Sequence, residues 1–412
     1  MQWESLGFKE NPFSTDPITF DTLSLYTGHA TEIQACKDVV SQKDILTIIE
    51  GHRGVGTTSF ANFLRFATQK KKLYLTPRNE IRVNPNWSLE TLLSAIIANI
   101  IREIEFFQSE KVTKDKRFQD AKSLSTRIAE TYRSFGIDAF GAGISYGKNA
   151  GISSQPVIVP ASVLGHHLED LAELVKLSGY KHGILLQLNN LDIGIIHEEK
   201  YLRYLFNAIR DYIQTKGLSW LLVGDVGLRQ FITQQVDRLD DIVTYETEIT
   251  PISKTDYDEL INKRIQHFRA SPKVYTPIDH EVFTYLYDIT KGRLRYVFGL
   301  LNRLITRVHV GDLTDRLTLD IAKPMVIRLA KERLAKQKLS PTDEQLLRLL
   351  VTLNQARVSD LVKKSKKSNN YVSNILAKLL KLKLVTFKKV GNARQYSPEF
   401  DATVAYSDES NG

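Results

Sequence analysis

Two short segments of the chain have residue types and spacing suited to phosphate chemistry. The first, EGHRGVGTTSF (50–60), follows the apolar run ILTII and precedes a helical pattern, SFANFLRFATQ. A phosphate loop of the form G-x-x-x-x-G-K-[ST] combines three devices: backbone N–H groups converging at a helix N-terminus, a lysine bridging the β and γ phosphates, and a Ser/Thr hydroxyl that holds Mg²⁺. Gly51, Gly54 and Gly56 permit the tight wrap around Arg53 and Val55. Thr58 stands at the metal-ligand position with Ser59 after it, and Thr57 takes the place of the lysine. The second segment, ILLQLNNLD (184–192), is a strand-like run ending where an acid normally orients the Mg²⁺ water and a following Glu polarises the attacking water. Asn189 and Asn190 hold those positions, and Asp192 is the nearest carboxylate. An amide accepts a hydrogen bond but adds no negative charge and is no base. Losing preorganised transition-state contacts costs about 10² to 10³ in rate per group, so hydrolysis is expected to be very slow or absent.

These segments need a scaffold, and the pattern around them supplies one. Strand candidates ILTII (45–49), LYLTP (73–77), ILLQL (184–188), WLLVG (220–224) and TYETEI (244–249) are separated by long connections that include helical stretches, which predicts a parallel sheet flanked by helices. One helix is expected to start at Ser88 and run through TLLSAIIANIIREI; another covers roughly 168–177. The glycine-rich 134–151 reads equally as an inserted hairpin or a surface loop. From Pro251 to about Lys338 the pattern is helical, opening on a capping-box-like SKTD at Ser253.

The last sixty residues follow a different pattern. Ser340-Pro341 caps the helix EQLLRLLVTL, VSDLVKKS forms a second, SNNYVSNILAKLLKL a third, and VTFKKV and RQYSP flank the tight turn GNA. Three helices and a hairpin make the winged-helix form of the helix-turn-helix, whose third helix is the reading helix. Its start carries Lys366, Lys367, Ser368, Asn369, Asn370 and Tyr371, while Lys388, Lys389 and Arg394 lie on the wing. Lys and Arg there neutralise phosphates, and Asn and Ser bond base edges.

Charge reinforces that reading. The 412-residue chain has a net charge of +9, and residues 341–400 hold twelve basic against four acidic residues, so nearly all the excess sits in this stretch. Double-stranded DNA is the expected partner; winged helices also dock proteins, so a protein partner or a homo-oligomer stays open. The length calls for two or three domains. Cys36 is the only cysteine, which excludes an internal disulfide and a cysteine-based zinc site. The N-terminal residues lack a signal-peptide pattern and no run approaches the roughly 18 apolar residues of a membrane helix, so a cytoplasmic protein without a membrane partner is expected. His166, His167 and Glu169 form no metal motif, since adjacent histidines on a helix point to different sides.

In this order the motifs resemble, over most of the chain, AAA+ ATPases of the archaeal origin-recognition initiator type and the related STAND-like NTPases. NPF (11–13) and YTGHATEI (26–33) look like the family's first segment, usually GREEEI, which lies beside the adenine. GHRGVGTT looks like Walker A and LLQLNNLD like Walker B. WLLVGDVGLR resembles the sensor 1 strand with Asp225 near its polar position, Arg238 falls where an arginine finger would, and GRLR (292–295) resembles sensor 2 with Arg295. The resemblance implies an α/β AAA+-like P-loop NTPase sheet with flanking helices (1–250), a helical lid (251–338), a winged helix (339–400) and a disordered tail (401–412). It implies a pocket for ATP or ADP, with Mg²⁺ on Thr58 if a metal binds, and Arg53 or Arg295 partly replacing the missing lysine; an empty, vestigial pocket stays open. The expected function is a DNA-associated switch or scaffold with weak or no hydrolysis. Its alternatives are an active ATPase of initiator or loader type, and a STAND-like signalling or phage-defence protein whose winged helix docks protein.

Overall fold

The structure, a computed structural model, describes residues 3–85, 87–107, 110–134, 159–193, 196–271, 278–309, 316–390 and 393–406. The chain divides into two compact units, Asp16–Arg264 and Met1–Thr15 with Ile265–Gly412.

The first unit runs α1 (Ala30–Val40), β1 (Leu46–Gly51), α2 (Thr57–Lys70), β2 (Tyr74–Leu75), β3 (Ile81–Arg82), α3 (Leu89–Phe107), α4 (Glu110–Thr113), α5 (Lys116–Ser134), α6 (Ala161–Leu177), β4 (Gly183–Leu191), α7 (Ile196–Ile213), β5 (Leu218–Gly224), α8 (Leu228–Gln235), α9 (Asp237–Asp240) and β6 (Tyr245–Ile249); α10 (Lys254–Phe268) begins in it. The sheet order is β2-β4-β5-β1-β6, and every pairing is parallel. All five expected strand segments are present. Only β3 escapes the sequence pattern: it is two residues long, and with β2 it forms an interrupted edge along β4, Tyr74 opposite Gly183 and Ile81 opposite Leu188.

Burial on both faces explains why these strands read as continuous apolar runs. Along β1, Ile48 joins the core under α3, α6 and α7 with Ile96, Leu168 and Phe206, whereas Ile49 joins Phe60, Leu64 and Leu221 under α2. Arg65 on α2 is fully buried. Its guanidinium donates to Asn62 Oδ1, Thr76 Oγ1 and the carbonyls of Pro77 and Arg78, tying α2 to the β2–β3 connection. Burial lowers its pKa to about 10.

The second unit contains α11 (His280–Ile289), α12 (Leu294–His309), α13 (Leu319–Ala335), α14 (Pro341–Leu353), β7 (Ala356–Arg357), α15 (Val358–Ser365), α16 (Asn369–Lys381), β8 (Val385–Val390), β9 (Ala393–Pro398) and α17 (Phe400–Tyr406). Strands β7, β9 and β8 form a small antiparallel sheet. The Ser340 cap is complete: Ser340 Oγ accepts from Asp343 N and Asp343 accepts from Ser340 N. The N-terminal residues belong here as well. Lys9 N donates to the Phe268 carbonyl and Ala270 N to the Gly7 carbonyl, both at 2.7 Å, and Phe13 packs against Phe283 and Phe298. Phe13 is thus a core residue of the helical unit and half-buried Asn11 donates to Asn302 Oδ1, whereas the 26–33 segment with which the sequence groups them belongs to the first unit.

One expectation needs correction. The chain was expected to lose order after Phe400, but Phe400–Tyr406 is the helix α17, with Phe400, Ala402, Val404, Ala405 and Tyr406 buried. The polar SDESNG that follows disguises this short apolar segment; residues 407–412 lie outside the described residues, as do 135–158, which include 135–151 of the glycine-rich stretch, and the wing turn at 391–392.

Candidate functional site

Strand β1 delivers its loop to the N-terminus of α2. Gly54 and Gly56 have φ of 95° and 109°, a left-handed backbone that glycine adopts without strain. Gly51 is constrained by space instead: a Cβ there would lie 2.6 Å from the Ile249 carbonyl and 2.7 Å from Thr57 Oγ1. Thr57 therefore folds against the end of β1. Val55 is buried and anchors the loop, while Arg53 is exposed. The first intrahelical bond of α2 is Phe60 N to the Gly56 carbonyl, so the N–H groups of Thr57, Thr58 and Ser59 have no partner within the helix. Ser59 has another task, its hydroxyl accepting from Ile18 N at 3.3 Å.

The end of β4 meets this loop. Asn189 is buried and its Nδ2 donates to Thr58 Oγ1 at 3.4 Å, while Gln187 Nε2 donates to Asn189 Oδ1 at 2.9 Å. The two segments singled out in the sequence thus touch through neutral groups. Asn190, exposed and at φ 65°, forms the irregularity in β4 between Leu188 and Leu191 that turns the strand end. Asp192 is exposed and lines a cavity of about 250 Å³ with Arg53, Asn190, Val83, Pro85 and Tyr201.

Two carboxylates brace the strand ends. Asp225, just beyond β5, accepts Ile193 N–H at 2.9 Å; burial pushes it up to about 7, against that hydrogen bond and aided by the Asp192 and Glu50 charges. Glu50 on β1 accepts from Gly227 N at 3.1 Å and Arg229 N at 2.9 Å, capping α8, whose own N-cap glycine has no side chain to do so. Burial raises the Glu50 pKa, partly offset by these two bonds.

The segment 26–33 lies against α2. The Tyr26 ring stacks on Phe63 at 4.7 Å, and His29 Nε2 donates to the Thr250 carbonyl at 2.7 Å, which leaves Nδ1 to accept from Tyr26 O–H at 2.8 Å. Arg238 is exposed on α9, and Arg295 is exposed in the first turn of α12, in the other unit. His166 and Glu169 are an exposed pair 3.6 Å apart. Among the described residues, no group of three or more His, Cys, Asp or Glu is arranged to hold a metal.

In the second unit α16 presents the expected polar start. Lys366, Lys367, Asn369, Asn370 and Tyr371 are exposed, and Lys367 sits over the Tyr371 ring. Ser368 is the N-cap, accepting from Tyr371 N at 3.4 Å. Val372, Ile375, Leu376 and Leu379 face inward, so Ser373 and Asn374 continue the outward face. Helical periodicity from the buried positions identifies these two as well as the residues up to Tyr371. Lys388 is exposed on β8 and Arg394 on β9 lies over the Phe387 ring; the Lys389 side chain is outside the description. Lys378 is paired with Asp343 at 2.5 Å and is not free for another anion.

A parallel sheet in which β1 runs through a glycine-rich loop into α2, a helical region and a winged helix together make an AAA+-like α/β fold. The ORC2 protein of Aeropyrum pernix is similar over 98% of this chain and 98% of its own, with TM-score 0.53 in its ADPNP-ADP complexes and 0.51 in its ADP form, at 14% identity in both. An uncharacterised HTH-type transcriptional regulator of Methanocaldococcus jannaschii is 21% identical over 402 residues, 95% of this chain and 90% of its own length. No protein-family model matches the chain. Among the described residues, no helix is long and apolar enough to cross a membrane.

Proposed function

We propose that this chain is a nucleotide-responsive DNA-binding protein of AAA+ architecture that holds ADP or ATP at the β1–α2 loop without turning it over, and engages double-stranded DNA through its winged helix in the cytoplasm. The Asn189–Thr58 contact carries this reading. It joins the glycine-rich loop to the second motif through two neutral side chains, which supply neither the charge nor the base that hydrolysis needs. Gly51, Arg53, Gly54, Val55, Gly56, Thr57 and Thr58 form the proposed phosphate cradle. The ADP-bound forms of the ORC2 protein and the HTH-type regulator among the relatives support the nucleotide and DNA parts respectively. The division into 1–250, 251–338 and 339–400 belongs to the same proposal. Mg²⁺ does not fit the donors present, since Thr58 is held by an amide and Asn189 carries no charge.

The test is a titration of labelled duplex DNA at several salt concentrations, with phosphate release followed in parallel. Affinity is expected to fall steeply with salt. Lys366→Ala and Lys367→Ala should weaken binding to all sequences and each lower the salt slope by about 1, whereas Asn374→Ala should alter sequence preference. Affinity indifferent to salt, or brisk phosphate release that Asn190→Ala abolishes, would overturn the proposal.

A further inference from the structure

We infer that this site binds a nucleoside di- or triphosphate without a divalent cation, the Gln187–Asn189–Thr58 chain occupying the place where a P-loop enzyme keeps its metal. The inference rests on the nucleotide reading above and adds the ionic form of the ligand.

Mg²⁺ is a hard ion held by one or two carboxylates together with phosphate oxygens and water. Here the residue at the carboxylate position is an amide, 4% exposed, whose Nδ2 donates toward Thr58 Oγ1. An N–H donor aimed at the metal position repels a cation. Turning the amide over presents Oδ1, a neutral oxygen that lacks the charge of the carboxylate a P-loop enzyme keeps beside Mg²⁺. Gln187 holds Asn189 in place and is itself only 1% exposed, with its Oε1 lacking a hydrogen-bond partner. A polar amide in the middle of a buried strand carries a desolvation penalty, and its one hydrogen bond goes to Asn189. Of the nearby carboxylates, Asp225 is engaged on Ile193 N and Glu50 on the start of α8, while Asp192 shares its cavity with Arg53.

The pattern of replacements has its own electrostatic sense. A carboxylate beside a phosphate is tolerable only when a cation lies between them; without the cation it repels the ligand directly. Asn at positions 189 and 190 removes that repulsion. The N–H groups at the start of α2 that lack a partner within the helix and the Thr58 hydroxyl are then the neutral groups offered to the phosphates, with Arg53 as the cation of the loop.

Fluorescent ADP and ATP titrated into the full-length protein, in Mg²⁺ and in EDTA, test this. Affinities equal within about two-fold in the two buffers are expected. Asn189→Asp should bind about ten-fold or more weakly in EDTA and recover on adding Mg²⁺, since the new carboxylate needs a cation to face phosphate. Wild-type affinity that falls about ten-fold in EDTA overturns the inference and leaves the nucleotide reading intact. Binding in neither buffer overturns both. An Asn189→Asp protein that binds equally well in both buffers also overturns the inference, and the wild-type comparison decides the matter alone if that variant does not fold.

Discussion

Asp225 is a residue whose chemistry follows from its neighbours more than from its type. Its ordinary pKa of 3.8 is pushed up to about 7, chiefly by burial. The folded state therefore holds a proton that the unfolded chain gives up, and Asp225 contributes stability that is complete below about pH 4 and lost as pH rises through about 7. Asp225→Asn keeps an acceptor for Ile193 N–H and cannot ionise. Denaturant unfolding at about pH 5 and about pH 8 should show the variant gaining on wild type at the higher pH; a constant difference would rule this out. The sequence places Asp225 at a strand end but contains no hint of its burial, because that depends on β4 and β1 arriving beside it. Asn189, by contrast, is marked in the sequence by its position at the end of an apolar run, and its side chain meets Thr58.

At the scale of elements, Glu50 shows a strand residue stabilising a helix. Its carboxylate satisfies two N–H groups of the first turn of α8, where the N-cap is Gly227. Glu50→Ala should cost about 1–2 kcal/mol, and Glu50→Gln, which keeps an acceptor, clearly less; urea unfolding measures both. Capping by a residue 177 positions away is invisible to local pattern reading. Local caps are not: Ser253, whose hydroxyl accepts from Asp256 N, and Ser340 were both readable, because donor and acceptor lie within one helical turn. The short strands β3 and β7 had no legible signal, as two residues cannot display a period.

For the whole chain, the contribution hardest to foresee came from its ends. Phe400 at the start of α17 packs on Tyr296 of α12 with ring centroids 5.2 Å apart, Arg333 of α13 lies over it, and Glu399 beside it pairs with Arg293 at 2.5 Å. These contacts fasten the winged helix to the helical elements before it. Phe400→Ala should therefore destabilise the second unit by about 3–5 kcal/mol, seen as a shift in its denaturant midpoint. A shift below about 1 kcal/mol would show that α17 is dispensable.

By itself the sequence determined the strands of the sheet, the glycine-rich loop between β1 and α2, and the basic winged helix. Each is written in residues close together along the chain, where hydrophobic period, glycine spacing and charge act locally. Tertiary structure alone decided that Gln187 bonds Asn189 and Asn189 bonds Thr58, that Glu50 caps α8, that burial raises the Asp225 pKa, and that Phe13 and Phe400 anchor the second unit. Those outcomes depend on which distant groups share a buried space, and the energies of burial and hydrogen bonding there exist only once the chain has folded.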